Sequence, residues 1–303
     1  MTNRIVVIGS LNVDTILQAS HFPSAGETLA LHDEKIAGGG KGANQAISAS
    51  RSGAKTSFIG KVGDDSNGKY MLEQLSRSGI DLSYISISKD TKTGQAFVIL
   101  EDSGENRILI YAGANGTLNE SDAKMARDKI READFVIAQL ETPIAATIEA
   151  FKIARDFGVK TILNPAPAIK ELPNELLELT DIITPNETEA EILTGIKIID
   201  KRSEELASAI LHNIGIETVL ITLGSEGVYY SSKKGSGNVA AIKVNAVDTT
   251  AAGDTFLGAL AAELKPNLKN LEEAIKYGNK ASSIAVQKIG AQPSIPSRKE
   301  IRK

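Results

Sequence analysis

The chain has 303 residues and a formal net charge of −4, which disfavours nucleic acid as a partner because phosphate backbones bind to basic protein faces. It has no Cys, which excludes disulfides and zinc–thiolate sites, and its three His (His21, His32 and His212) are too scattered to predict a His-based metal site. With 42% hydrophobic and 24% charged residues, no apolar run near the roughly 20 residues that span a bilayer, and no signal-peptide pattern, we expect a soluble, cytoplasmic protein.

Short runs of β-branched and other apolar residues recur along the chain and predict buried strands. These runs cover residues 5–8, 58–60, 135–138, 161–163, 182–184 and 219–222. Helical patterns separate most of them, at 43–51, 68–78, 144–157, 187–193 and 204–211. The alternation predicts a single three-layer α/β/α domain over 1–303 with a mainly parallel central sheet, in which ligands lie beyond the carboxyl ends of the strands.

Two stretches, roughly 13–36 and 93–112, contain strand-like segments without helices between them. Residues 94–100 and 107–111, on either side of a turn at 102–105, are typical of a β-hairpin. We interpret these stretches as a small inserted β-sheet that acts as a lid over a cleft, covers a second subunit, or does both. The alternative is that they are peripheral hairpins packed on the main core.

The last third of the chain departs from the parallel pattern. Residues 227–230 and 239–242 predict antiparallel strands. Two helices are predicted after them, at 252–264 and 271–287.

The first candidate site is the glycine-rich segment 38–46, which includes Gly40, Lys41, Gly42 and Asn44. Glycines before a helix let the backbone approach a ligand closely, and the helix N-terminus offers free N–H groups. The segment is not a Walker A loop, because Lys41 is followed by Gly42 and not by Ser or Thr. The alternative is a flexible loop with an exposed Lys.

The second candidate site is the segment 248–256, in which small residues begin a helix at Ala251, Ala252 and Gly253. Bare N–H groups at such a helix start form an anion hole, and Asp254 beside it can accept a proton from an attacking hydroxyl. The alternative is simple capping, because Asp and Thr are ordinary residues at helix starts.

Three further positions follow predicted strands. Asn186 and Glu189 form either a capping box or a site for hydrated Mg²⁺ and nucleotide phosphates. Asn12 and Asp14 alternate along the chain, so their side chains share one face and can bind adjacent sugar hydroxyls. Glu141 lies at another predicted strand end. The alternative for these last three residues is a turn or cap.

Taken together, these segments resemble the PfkB carbohydrate-kinase family over nearly the whole chain. The matching elements, in chain order, are Gly39-Gly40-Lys41-Gly42-Ala43-Asn44-Gln45-Ala46, Asn186-Glu187-Thr188-Glu189, and Asp248-Thr249-Thr250-Ala251-Ala252-Gly253-Asp254-Thr255-Phe256. The resemblance implies a kinase that transfers a phosphoryl group from ATP to the primary hydroxyl of a sugar, here D-ribose, with Asp254 as general base. It also implies Mg²⁺, an activating K⁺ and a homodimer formed through the lid.

The resemblance assigns a role to each matching position. The implied sugar contacts are Asn12, Asp14, Gly40, Lys41, Gly42, Asn44, Glu141 and Asp254, and the implied anion hole is formed by residues 251–254. The implied ATP contacts are Asn186, Glu189, Thr222, Gly224, Ser225, Gly227, Gly253 and Asn279, with Glu189 acting on Mg²⁺ through water. The implied K⁺ site is formed by Asp248, Thr250, Ala285, Lys288, Gly290 and Ser294, several of them through backbone carbonyls.

Two alternatives to this function remain at the level of sequence. One is a sibling kinase that acts on deoxyribose, fructose or adenosine. The other is a sugar- or nucleotide-binding regulator that keeps the fold without catalysis. The presence of Asp254 and of the whole anion-hole segment argues against the regulator, because a binding protein needs no base.

Overall fold

The computed structural model describes residues 2–103 and 105–303, so Gly104 of the predicted 102–105 turn lies outside the described residues. The strands are β1 (Arg4–Ile8), β2 (Asn12–Ala19), β3 (Asp33–Gly39), β4 (Lys55–Gly63), β5 (Asp81–Ser88), β6 (Gly94–Glu101), β7 (Asn106–Tyr111), β8 (Phe135–Ala138), β9 (Lys160–Leu163), β10 (Ile182–Ile183), β11 (Thr218–Thr222), β12 (Val228–Ser232) and β13 (Gly235–Val239). The helices are α1 (Lys41–Arg51), α2 (Ser66–Arg77), α3 (Glu120–Met125), α4 (Arg127–Arg131), α5 (Ile144–Asp156), α6 (Asn174–Glu178), α7 (Glu187–Thr194), α8 (Lys201–Asn213), α9 (Ala252–Glu263), α10 (Leu271–Ala285), α11 (Ala291–Ser294) and α12 (Arg298–Ile301).

The larger sheet has nine strands in the order β13-β12-β11-β10-β9-β8-β1-β4-β5. Every neighbouring pair from β11 to β5 is parallel, and β12 and β13 add an antiparallel hairpin at one edge. The prediction of a mainly parallel central sheet is confirmed. Because the strands are parallel, their carboxyl ends meet at one edge, where the loops that carry the candidate residues are collected.

Helices cover both faces of this sheet, which gives the predicted three layers. Alternation along β1 shows why, because Ile5 and Val7 pack with α1, α2, α9 and α10, whereas Val6 and Ile8 pack with α3 to α8. All four side chains are at most 1% exposed. A strand with both faces buried needs apolar residues at consecutive positions, which explains the continuous apolar runs in the sequence.

The smaller sheet has four strands in the order β3-β2-β6-β7. Asn12 pairs with Gly39 on β3 and with Gly94 on β6, so these three residues form one row at the root of the sheet. The predicted hairpin is confirmed as β6 and β7, which pair in antiparallel register from Gln95 opposite Tyr111 to Leu100 opposite Asn106. A second, small sheet is therefore present, and its root lies where the chain leaves the carboxyl edge of β1.

Two sequence predictions need correction. The strand predicted at 239–242 is wrong, because β12 turns back at Lys233 and Lys234 and its partner β13 therefore ends at Val239. The paired residues are a polar, glycine-rich run, and the apolar residues after Val239 lie beyond the ladder. The edge strand β5 was not predicted, because an edge strand alternates polar and apolar residues and lacks a continuous apolar run.

Helix bounds differ from prediction by at most three residues, and the short helices α3, α4, α6, α11 and α12 were not predicted. The start of α1 matters most, because Lys41 lies in its first turn and not in the loop before it. No helix in the described parts of the chain is both long and apolar enough to cross a membrane.

Candidate active site

Helices α1 and α9 pack side by side, and their amino-terminal ends meet at the carboxyl edge of the large sheet. The approach is very close, because a Cβ on Gly258 of α9 would lie 2.4 Å from the carbonyl oxygen of Gln45 on α1. The Ser48 hydroxyl on α1 also donates to the Thr255 carbonyl oxygen at 2.7 Å. This packing joins the two sequence segments that carry most of the candidate residues, although they are about 200 positions apart.

Asp254, the predicted base, lies at this junction and is 6% exposed. The Nδ2 of Asn44 donates to its Oδ2 at 3.1 Å, and the Nε2 of Gln45 donates to its Oδ1 at 2.9 Å. A cleft beside Asp254 is lined by Lys41, Asn186, Glu189, Thr222 and the segment 251–254. The structure therefore brings the first, second and third candidate segments into one site.

Of the predicted sugar contacts, Lys41 and Asp254 line this cleft, and several others cluster around Gly40 and Lys41. The Glu141 carboxylate accepts from the Ser10 hydroxyl, and its Oε2 accepts from the Lys41 backbone N–H at 3.0 Å. Gly40 has φ +87°, and a Cβ there would lie 2.9 Å from the backbone of both Ser10 and Asn12. Glycine at this position lets β3 turn into α1 directly over the end of β1.

Asn12 is oriented by a residue that the sequence analysis missed. Asn115 is 2% exposed, and its Nδ2 donates to the Asn12 Oδ1 at 2.7 Å and to the Leu11 carbonyl oxygen at 3.1 Å. Its Oδ1 accepts from the Leu11 N–H at 2.9 Å. Because the Asn12 oxygen is occupied, its amide nitrogen remains available to a ligand.

Asp14 lies against β3, where a Cβ on Gly39 would be 2.1 Å from its Oδ2. Burial, together with the negative charge of Glu141, raises the pKa of Asp14 to about 7.

Burial disfavours the charged form of Lys41 and so acts to lower its pKa. The combined attraction of Asp254, Glu141 and Glu189 outweighs burial and raises the pKa of the Lys41 ammonium. The site therefore holds one permanent cation among several carboxyl groups.

The start of α9 has an unusual backbone, because Ala251 adopts φ 58° and ψ 16° in the left-handed region. For a residue with a Cβ this conformation costs roughly 1 kcal/mol or more, and such strain is characteristic of functional sites. Among residues 2–103 and 105–303, the N–H groups of Ala251 and Gly253 find no acceptor, whereas that of Ala252 donates to the Thr249 carbonyl oxygen at 3.1 Å. Of the three amides predicted for the anion hole, two are free and Ala252 is engaged.

Asn186 and Glu189 form a complete capping box at the start of α7. The Asn186 Oδ1 accepts from the Glu189 N–H at 2.8 Å, and the Glu189 Oε2 accepts from the Asn186 N–H at 2.9 Å. Both residues also line the cleft, so capping and ligand binding are compatible here. Burial raises the pKa of Glu189, although the Asn186 N–H and the charge of Lys41 oppose the shift.

Of the other predicted nucleotide contacts, Thr222 lines the cleft, whereas Gly224, Ser225, Gly227 and Asn279 are not among its lining residues. Thr222 ends β11 and pairs with Asn186 through an isolated bridge. Gly224 and Ser225 form a short exposed turn, and Gly227 adopts φ +106°, where a Cβ would collide with the Val239 carbonyl oxygen. Asn279 on α10 donates from Nδ2 to the carbonyl oxygens of Val239 and Ala240 at 3.2 and 3.1 Å.

The predicted cation residues come from two loops that Asp248 joins. Its Oδ1 accepts from the Thr250 N–H and its Oδ2 from the Gly290 N–H, both at 2.8 Å. Although burial acts in the opposite direction, these bonds hold the pKa of Asp248 below its usual value. At the end of α10, the Lys288 backbone N–H donates a hydrogen bond to the Ala285 carbonyl oxygen. Ser294 is fully buried in α11.

Among the described residues, no group of three or more His, Cys, Asp or Glu side chains is placed to hold a metal ion.

Four polar residues that contact the site, three of them buried and Asn164 partly buried, were not predicted from the sequence. Gln45, Gln139, Asn164 and Asn115 form side-chain hydrogen bonds to one another or to the predicted site residues. Gln45 lies inside the 39–46 motif, and Gln139 lies two residues before Glu141. Their hydrogen-bond partners are about 90 to 210 positions away in the sequence. Only the folded structure shows these contacts.

Comparison with known proteins identifies the class. The sequence model of the pfkB family carbohydrate kinases matches residues 2–298, and the chain belongs to this family. It is 52% identical to the ribokinase of Staphylococcus aureus, with 99% of both chains covered, and 46% identical to that of Haemophilus influenzae, with 99% of this chain and 97% of that one covered. The solved structure of Arabidopsis thaliana ribokinase complexed with ribose and ATP matches with a TM-score of 0.94 at 35% identity, covering 100% of this chain and 98% of that chain.

Proposed function

We propose that this enzyme phosphorylates D-ribose at O5 with ATP, forming D-ribose 5-phosphate and ADP. The observation that carries the proposal is the junction of α1 and α9. There a buried carboxylate lies beside free backbone N–H groups, in a cleft with polar residues at one end that suit a sugar. The full-length similarity to ribokinases, and the ribose and ATP bound by the Arabidopsis relative, support the choice of substrates.

The sugar end suits a small polyol because it offers both acceptors and donors. Asp14 and Glu141 would accept from ribose hydroxyls, while the Asn12 and Asn44 amides and the Lys41 ammonium would donate to them. Gly40 and Gly42 would let the sugar approach the backbone. The Oδ1 of Asn44 is buried without a partner among the described residues, so it is ready to accept from a hydroxyl.

The reaction is a direct transfer. Asp254 accepts the proton of the ribose O5 hydroxyl, O5 forms a bond to the γ-phosphorus of ATP, and the bond to the β–γ bridging oxygen breaks to release ADP. The free N–H groups of Ala251 and Gly253, with the start of α9 behind them, would stabilise negative charge on the transferring group. Ala252 would join this anion hole only if its bond to Thr249 opens.

ATP would extend from the anion hole along Asn186 and Thr222 to the turn that contains Gly224, Ser225 and Gly227. Asn279 would lie near the adenine ring. Glu189 fits a Mg²⁺ ion that the phosphates carry, because Mg²⁺ takes few protein ligands and keeps several waters. Each Glu189 oxygen has spare acceptor capacity beyond the capping box, and Mg²⁺ would supply neutralisation of phosphate charge.

A K⁺ ion fits the two loops that Asp248 joins. Asp248, with its pKa held low, would provide the charge, and carbonyl oxygens of Thr250, Ala285, Lys288, Gly290 and Ser294 would complete the ligand set. The same loop leads directly into Ala251, so ordering it would hold the strained anion-hole backbone in place. The ion itself would remain apart from the reactants.

The small sheet would act as a lid, because the side of it that carries Asp14 lies over the sugar end. On its other side, Ile36 and Leu109 are 60% and 57% exposed and lie in one cross-strand row with Phe97. A second copy of this sheet would cover that row, which supports a homodimer. We place this ATP-using enzyme in the cytoplasm. A monomeric mass at micromolar concentration, measured by analytical ultracentrifugation, contradicts the dimer.

The proposed function is tested by ADP release with Mg-ATP and a panel of ribose, deoxyribose, fructose and adenosine, each with and without K⁺. We expect ribose-selective turnover that K⁺ stimulates. Turnover with another acceptor alone would keep the kinase and overturn the substrate. No turnover with any acceptor would favour a binding protein.

A further inference from the structure

The buried Gln45 bonds to Asp254, a second buried glutamine, Gln139, bonds to Gln45, and the proposed mechanism uses neither. Gln45 is fully buried and Gln139 is 1% exposed. The Gln45 Nε2 donates to the Asp254 Oδ1 at 2.9 Å and to the Asn164 Oδ1 at 3.1 Å, while its Oε1 accepts from the Gln139 Nε2 at 2.6 Å. Because its Nε2 donates to two protein oxygens and its Oε1 accepts from Gln139, we assign Gln45 no sugar contact.

This network allows only one orientation of the Gln45 amide. A flipped amide would place its oxygen against the Asp254 carboxylate and its nitrogen against the Gln139 nitrogen, and both contacts would be repulsive. Gln139 is held in turn by tight packing, because a Cβ on Gly9 would lie 2.1 Å from its Oε1. Gln139 thus keeps the Gln45 N–H pointed at Asp254.

Asp254 therefore has a fixed donor on each oxygen, Gln45 on Oδ1 and Asn44 on Oδ2. The carboxylate cannot rotate without breaking one of these bonds. Both donors come from the first turns of α1, which is locked against α9 by the close contact at Gly258. The donors and the carboxylate consequently move as one unit.

We infer that Gln45, oriented by Gln139, is a positioning residue that fixes the carboxylate plane of Asp254 so that a free lone pair faces the acceptor hydroxyl. The inference rests on the proposed function for the identity of that hydroxyl. Misplacement of a catalytic group by about 1 Å can cost on the order of a hundredfold in rate.

The test uses Gln45→Met, which keeps the volume and removes the donor, with Gln74→Met on α2 as the matched control. We expect kcat to fall roughly tenfold to a hundredfold and the ribose KM to stay within about threefold. Gln139→Met should act in the same direction but less strongly. The double variant should be no worse than Gln45→Met, because Gln139 acts through Gln45.

A crystal structure of the Gln45→Met variant gives a readout that does not depend on turnover. The Asp254 carboxylate is expected in a rotated orientation or in more than one orientation, and a carboxylate left in its original plane would overturn the inference. An unchanged kcat would overturn it as well. If the unmodified enzyme fails to use ribose, the proposed function is contradicted while the carboxylate orientation still decides the role of Gln45. If Gln45→Met does not fold, the same measurements on Gln139→Met decide it.

Discussion

The two ends of the cleft are built differently. At the end that we propose for ribose, the sugar end, Asn12, Asn44 and Asp254 are 5 to 6% exposed, and amides from distant parts of the chain donate hydrogen bonds to Asn12 and Asp254. At the end that we propose for ATP, the nucleotide end, the 224–226 turn is exposed, and so are most side chains between 240 and 250, including Val247 at 63%. The sugar end is thus organised before its ligand arrives, whereas the nucleotide end has surface left for its ligand to order.

The difference has an energetic meaning. A ligand that enters a preorganised site does not have to order the side chains that bind it, so more of the interaction appears as affinity and orientation. The orienting bonds at the sugar end converge on Asp254 and Asn12, which suggests that geometry at the reacting hydroxyl is the property they protect. The strained Ala251 lies between the two ends, where the phosphoryl group would pass.

The largest effect should come from Asp254→Asn, which removes the base where the two ends meet. We expect kcat to fall about a thousandfold, since general-base catalysis contributes roughly 10²- to 10⁴-fold. The KM for ATP should change little, because Asp254 is not among the proposed ATP contacts. Asp134→Asn, at the Arg4 pair on the opposite edge of the sheet, is the control and should keep full activity. Near-normal turnover by Asp254→Asn would remove it as the base.

A selective loss at the sugar end should follow from Gly39→Ala. The new Cβ would lie 2.1 and 2.3 Å from the two Asp14 oxygens, so the carboxylate must move. Loss of a hydrogen bond to a charged group costs about 1.5–3 kcal/mol, or roughly tenfold to a hundredfold in ribose KM. The matched control is Gly116→Ala, whose Cβ would meet only the Ala112 Cβ at 3.6 Å. An equal rise in ATP KM would show that the two ends are not independent.

A smaller effect should appear in the pH dependence of ribose binding. Asp14, with its pKa raised to about 7, is largely neutral in the free enzyme at lower pH. If ribose binds the carboxylate, binding releases a proton, so affinity should rise with pH and level off above about 7. Calorimetric titration of ribose should show roughly a tenfold loss per pH unit below that point.

The control for this titration is Asp14→Asn, which should bind more weakly but lose the pH dependence. Glu141 sharpens the test, because its charge contributes to the raised pKa of Asp14. Glu141→Gln should therefore move the transition to lower pH. A flat profile for the unmodified enzyme would show that Asp14 does not have to ionise for the sugar to bind.

The sequence could predict the parallel sheet because burial on both faces leaves continuous apolar runs such as Ile5–Ile8. It could not predict β5, which lies at an edge, or the end of β13, which is set by the turn at Lys233 and Lys234 and not by the apolar residues after it. Local patterns report burial, while register depends on the turn that begins the pairing.

The candidate site was predictable only where residues lie close together in the sequence. Asn186 and Glu189 illustrate this, because the structure confirms the capping box that their spacing predicts, while their possible role toward Mg²⁺ depends on a cleft formed by other segments. Gln45, Gln139 and Asn115 act across about 90 to 210 positions, and no local pattern encodes such contacts. The supporting residues of the site were therefore visible only in the fold.

The central claim is that Asp254 directs the primary hydroxyl of ribose at the γ-phosphate. The most direct test incubates the enzyme with Mg-ATP, K⁺ and ribose labelled with ¹³C at carbon 5, and locates the phosphate by phosphorus–carbon coupling in the NMR spectrum. The account predicts coupling to carbon 5 with the unmodified enzyme, and none over the same time with Asp254→Asn. Phosphate on carbon 1, or release of inorganic phosphate without a sugar phosphate, would contradict it.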